Sequence, residues 1–322
     1  MIPSQDEVLS WFDVLSNWGR WGADDRLGTL NHLTPERRRA ALASVRQGRS
    51  VSLAWNIDPD LAQGNVLPPQ RLVRASGEPD DVSDGPVHGM LRAAGIGTGR
   101  ASFVMDEFRL SYHGTHITHV DSIAHAFWDG MLFNGVPAAT ATRSGATEHD
   151  VVGSAGGVVG RGVLLDAARY RGARWLDPGD GVGARELDAI AAAEGAEIRP
   201  GDVVLLRTGY GRRRREDPAG WRPHESYPGW QASVLPWLFQ NDVAAIGADT
   251  AQESLPSGYP EVPMPIHYVG IVAMGLCLVD NCDLEALAAA CEQAGRWDFL
   301  FMLAPLRLVG LSGSPANPLA II

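Results

Sequence analysis

Short apolar runs alternate along the chain with longer polar or amphipathic stretches. Ser50–Trp55 (SVSLAW) alternates with period two, as a half-buried strand does. Gly160–Leu165 (GRGVLL) and Gly201–Thr208 (GDVVLLRT) are continuous apolar runs bounded by Gly and Pro, which predicts buried strands. Between them, Ala184–Glu197 has the spacing of an amphipathic helix. Further helices are predicted over Gly229–Gln240 and over residues 283–294, where Asp283 opens the first turn. Strands are predicted over residues 101–112, Val243–Gly247 and Arg296–Leu306. Residues 1–45 read as helical pieces, one of them capped by Thr34 with Pro35 at its first position and stopped by Gly48. Residues 56–100 are rich in Pro, Gly and Asp and weakly periodic, so they read as a long loop of the kind used as lids. No change of composition marks a linker. The pattern therefore predicts a single α/β domain over residues 1–322, with an N-terminal helical extension over about 1–48 and the long loop over about 56–100.

Composition narrows the class. Hydrophobic residues are 45% of the chain and there are 10 Trp, enough for a sizeable core. The formal net charge of −11 argues against nucleic acid, which needs clustered Lys and Arg, and against an anionic membrane surface. The run Arg212–Arg215 reads as a solvated loop in so acidic a chain. Gly153–Gly162 (GSAGGVVGRG) lacks the lysine of a phosphate loop. No stretch has the length of a membrane span, and the N-terminus lacks the basic and apolar regions of a signal peptide. Three Cys without CxxC spacing (Cys277, Cys282, Cys291) fit inert thiols in a reduced, cytoplasmic setting.

Candidate chemistry concentrates in Tyr112–Gly135. Of nine His in the chain, His113, His116, His119 and His125 fall there, with Asp121 among them. Imidazoles and a carboxylate are good ligands for Zn²⁺ or Mn²⁺. On an extended chain His119 and Asp121 share one face. His113 has the same parity and His116 the other, so either remains a third ligand, with His113 favoured unless Gly114 turns the backbone. His125 is placed to act as a proton acceptor rather than a ligand. Trp128, Phe133 and Asn134 follow the cluster and read as pocket lining or core. Arg207 and Thr208 read as a carboxylate-binding pair or, more simply, as a structurally paired buried arginine.

The segment THVDSIAH, with His119, Asp121 and His125, resembles the signature of the cyclase family of metal-dependent hydrolases, to which kynurenine formamidase and isatin hydrolase belong. Thr115 stands where the family's first His is expected. In this respect the chain looks like the longer subgroup with an HG…THxD pattern, in which His113 takes that place. WGADDRLGTLNHLTP (Trp21–Pro35), GDVVLLRTG (Gly201–Gly209), DTAQESLP (Asp249–Pro256), MPIHYVGIVAMGLCLVDN (Met264–Asn281) and GSPANPLAI near the C-terminus are also similar to family segments. The resemblance implies a late acid/base at His267 and an acidic partner at Asp280, where relatives usually carry Glu. It also implies a mixed, partly barrel-like β-sheet flanked by helices and a homodimer or homotetramer.

The expected function is a metal-dependent hydrolase with one divalent ion, Mn or Zn, acting on an amide, lactam or lactone of a small molecule. Ring closure by the same Lewis acid and base is the alternative. A non-catalytic small-molecule binder on the same fold is a second alternative.

Overall fold

A computed structural model of the chain describes residues 2–59, 67–76, 86–95 and 103–322. The chain divides into two compact units, one made of Met1–Trp55 with His113–Ile322 and the other of Asn56–Tyr112.

The larger unit is built on a curled, nine-stranded mixed sheet flanked by helices. Its strands run in the order Ser50–Ser52, Leu319–Ile321, Asp298–Leu303, Val158–Asp166, Val203–Arg207, Ala245–Ala248, Cys277–Asp280, His119–Asp121 and Gly313–Pro315. The four strands from Val158–Asp166 to Cys277–Asp280 are parallel, and those outside them are antiparallel. Parallel strands covered on both faces need apolar residues at every position. That is why GRGVLL and GDVVLLRT are continuous rather than alternating. Val163, Leu165, Val204 and Leu206 pack into one core, while Leu164, Val203 and Leu205 pack into the other. Each such side chain contributes about 1.5–3 kcal/mol by leaving water.

Local signals explain most element ends. Thr34 accepts a hydrogen bond from the Arg37 amide and opens the helix Pro35–Ala43. Gly195 and Gly295 end the helices Ala184–Glu194 and Glu285–Ala294 in left-handed conformation. Three expectations change. The helix opened by Thr34 ends at Ala43, capped by Ser44, before the chain reaches Gly48. Helix is confined to Val234–Gln240, because Gly229–Trp230 is extended and pairs with Gly181–Val182. A Cβ on Gly229 would collide with the backbone of Gln252 and Glu253, so this stretch is held flat against that segment. The arginine run lies in a helix, Tyr210–Glu216, rather than in a solvated loop.

The smaller unit holds an antiparallel pair, Gln70–Ala75 with Met105–Arg109, and a helix, Pro86–Ala93. These interrupt the expected loop over 56–100; the remainder of that span at 60–66, 77–85 and 96–100 lies outside the described residues. Among the described residues no helix is long and apolar enough to cross a membrane. All three Cys are free and buried.

Candidate metal centre

His119 and Asp121 lie on one short strand, paired on one side with Cys277–Asp280 and on the other with Gly313–Pro315. Asp280 stands opposite His119 in that register. Period two sends His119 and Asp121 to the same side, and their side chains approach to 3.5 Å. Val120, between them, points into the core behind the strand.

The chain before this strand is bent rather than extended, with Gly114 at φ +122°. A bend, not strand parity, therefore brings His113 to the cluster. Its Nδ1 lies 3.1 Å from Asp121 Oδ1, and its Nε2 lies 3.0 Å from Ser312 Oγ. His119 Nδ1 lies 2.8 Å from the Ile117 carbonyl. A carbonyl only accepts, so Nδ1 carries the proton and the Nε2 lone pair faces Asp121 and Asp280.

His116 goes elsewhere. Its ring stacks on His224 at 5.0 Å and meets Trp221 edge-on at 4.9 Å, and Thr115 Oγ1 lies 3.2 Å from its Nδ1.

Two further imidazoles close the cluster. His125 stacks on His113 at 4.0 Å and puts Nε2 at 3.9 Å from Asp121 Oδ2. Burial pushes His125 down to about 4, against the pull of Asp121, so it is a neutral acceptor at pH 7. His267 puts Nε2 at 3.7 Å from Asp121 and 3.6 Å from Asp280. It ends a short helix, Pro265–His267, that runs on as a π-helix over Tyr268–Met274. Such helices recur at functional sites.

Sequence reasoning missed Glu253. Its carboxylate lies 2.7 and 2.9 Å from His267 Nδ1 and accepts the His267 amide at 2.8 Å. Burial opposes charge on His267, but Glu253 and Asp280 outweigh it and hold the imidazolium form well above its usual range. The neighbouring Gln252 donates to Asp280 Oδ1 at 2.7 Å from a left-handed backbone, φ +65°. A non-glycine residue held there is strained, and such strain clusters at functional sites. DTAQESLP contains both residues, and a lone acid beside an amide carries no spacing that would flag it.

Other candidates are structural. Phe133 is fully buried in the core. Asn134 bonds to Gly19, Gly22 and Ala23. Trp128 stacks on Phe12 at 4.6 Å. In the N-terminal segment, Trp18 donates to the Val272 carbonyl, and Asn31 to Asp25 and Gly28, so these side chains also serve the fold. Gly28 must be glycine, since a Cβ there would strike the Gly275 carbonyl. Arg207 is bonded to Glu285 and Asp166.

Asp121 is the centre of the arrangement. Both its oxygens are buried, and neither accepts a hydrogen bond of good geometry. Burial would raise its pKa, but His125, His113 and His119 reverse this and hold it well below the usual carboxylate range. A buried carboxylate left this way costs several kcal/mol unless a cation meets it. Two trios have donor atoms within 4.8 Å of one another: His113, His119 and Asp121, and Asp121, His125 and His267. Imidazole nitrogens and a carboxylate oxygen fit Zn²⁺ or Mn²⁺.

Residues 50–252 match the model of the family described as "Putative cyclase". Among solved structures, one described as a novel cyclase is 29% identical, with a TM-score of 0.83, covering 96% of this chain and 100% of that one. Isatin hydrolase A from Labrenzia aggregata, bound to benzyl benzoate, is 19% identical with a TM-score of 0.60, covering 91% and 98%. An isatin hydrolase bound to the product analogue thioisatinate is 18% identical with a TM-score of 0.56, covering 85% and 92%. These likenesses reach across both cores and establish the fold. No curated protein sequence matches the chain.

Proposed function

The chain belongs to this cyclase family, and from that premise we propose that it is a metal-dependent hydrolase opening an amide, lactam or lactone of a small molecule. The observation that carries the reading is Asp121, a buried carboxylate ringed by imidazoles, neither of whose oxygens accepts a hydrogen bond of good geometry. His113, His119 and Asp121 would hold the ion, through Nδ1, Nε2 and a carboxylate oxygen. When bound, Mn²⁺ or Zn²⁺ supplies Lewis acidity, which polarises a carbonyl and makes water a better nucleophile near neutral pH.

The chain's own residues supply proton transfer. His125 Nε2 is uncharged at pH 7 and its side chain is mostly buried but still reaches solvent, so it takes the proton of the attacking water. Glu253 pins His267 Nδ1, leaving Nε2 aimed at the same space as Asp121 and Asp280. A protonated His267 hands its Nε2 proton to the leaving nitrogen or oxygen. Isatin hydrolases of the same fold make a lactam the first substrate class to try. Mn or Zn as the ion, a homo-oligomer and a cytoplasmic setting go with this reading; buried free thiols suit a reducing compartment.

The experiment is metal analysis of protein purified without tag or chelator, followed by assays on lactams, formanilides and lactones before and after stripping. Stoichiometric Mn or Zn, with activity lost on chelation and restored on re-addition, is expected. No bound metal and no gain of activity on adding either ion would sink the reading.

The family's description supports ring closure as a second reading. Heavy-oxygen water separates the two: hydrolysis puts the label into the product, and closure does not.

A further inference from the structure

The arginine run left unexplained by the site has one member unlike the rest. Arg212 pairs with Glu285, Arg213 with Asp217 and Arg215 with Asp283. Arg214 has no carboxylate within ion-pair distance among the described residues. Its guanidinium lies 4.4 Å from the Trp55 ring centre and 4.9 Å from that of Trp221. Burial lowers its pKa to about 10. One Nη1–H donates to the His116 carbonyl at 3.0 Å, and His116 stacks on His224.

A guanidinium packed against indoles recognises ligands through its edge, where a carboxylate fits two parallel N–H donors. Desolvation strengthens such a contact. Arg214 is also tied to the metal centre by the backbone. His116 lies three residues from both His113 and His119, which bounds the Cα separation at about 11 Å.

We propose that Arg214, packed against Trp55 and Trp221 and bonded to the His116 carbonyl, is a recognition site for a carboxylate on an organic anion. The substrate of the neighbouring centre would then carry a carboxylate distant from the bond that is cut. Calling that ligand the substrate rests on the hydrolase reading; its binding does not.

The test is calorimetric titration of the purified protein with benzoate and with its neutral counterpart benzamide, before and after chelator treatment. Benzoate is expected to bind about tenfold tighter or more, the worth of one charge-assisted contact. The preference should persist without metal, vanish in Arg214→Gln and survive in Arg39→Gln, an exposed arginine paired with Glu36. The net charge of −11 opposes the preference, so general electrostatics cannot imitate it. Equal binding of the two probes by the wild type overturns the proposal even if Arg214→Gln does not fold. So does a preference lost on chelation, which assigns benzoate to the metal, or one that survives in folded Arg214→Gln. A metal-free preparation that keeps the preference would separate this site from failure of the hydrolase reading.

Discussion

Two buried polar regions of the larger unit can be set side by side: the cluster around Asp121 and the ion-pair network around Arg207. Both are almost closed to water. At Arg207 the fork is filled: Nε and Nη2 donate to Glu285 at 2.8 and 2.9 Å, and Nη1 donates to Asp166 at 2.7 Å. Nearby, Asp249 accepts from the amide and hydroxyl of Thr208 at 2.9 and 2.7 Å. At Asp121 neither oxygen is so satisfied, and the nearest groups are four imidazole rings. A region that satisfies its own charges holds the fold together. One that gathers donors around an unsatisfied charge is built for something the chain does not contain.

The largest expected effect tests the second half of that contrast. Asp121→Asn should abolish bound metal and turnover while leaving the melting temperature of the metal-free protein unchanged or raised, since a buried charge is removed. A large loss of metal-free stability would place Asp121 with the structural pairs. Glu285→Ala should do the reverse: chemical denaturation should show a loss of about 3 kcal/mol or more, because buried Arg207 loses two of its three carboxylate hydrogen bonds and Arg212 loses its nearest carboxylate, while metal content per folded molecule stays the same.

His125→Ala comes next, with turnover falling by about 10²–10⁴ and metal retained. Surviving turnover would remove its role as proton acceptor. Glu253→Gln is milder, with kcat reduced about 10–100-fold at similar KM and a changed basic limb of the pH profile. A pure stability loss with an unmoved pH profile would reduce Glu253 to packing.

The smallest effect lies at the edge of the Arg207 network. Glu194 accepts from the Asp166 amide at 3.2 Å, but its Oε2 is buried without a hydrogen bond. Burial, helped by the Asp166 charge, pushes it up to about 8. A folded pKa above the unfolded value means that the folded state binds the extra proton. Its stabilisation is complete below about 4.5 and is lost as pH rises through about 8. Glu194→Gln should therefore flatten the fall in melting temperature between pH 5 and pH 8. An identical fall in the variant would place that pH dependence elsewhere.

What could be read from sequence follows the range of the interactions. His119 and Asp121 were legible because strand alternation is a two-residue rule. The buried parallel strands were legible because burial on both faces demands continuous apolar runs. The placing of His113 and His116 was not, since it turns on Gly114 at φ +122°, which alternation does not describe. Glu253 was hidden because its partner His267 is fourteen residues away across a segment with no periodicity. The arginine run looked uniform because charge density does not say which face of a helix is buried. Arg214 and Arg215 both pack on Trp55, far away in the chain, but Arg215 also pairs with Asp283, whereas Arg214 packs on Trp221.

The most direct test of the central claim is an anomalous-scattering map from crystals grown with Mn²⁺ or Zn²⁺. A peak bounded by His113 Nδ1, His119 Nε2 and Asp121 is expected, with the His116 ring outside its coordination sphere. A map with no peak at Asp121, or one whose ion is held by His116, would contradict it.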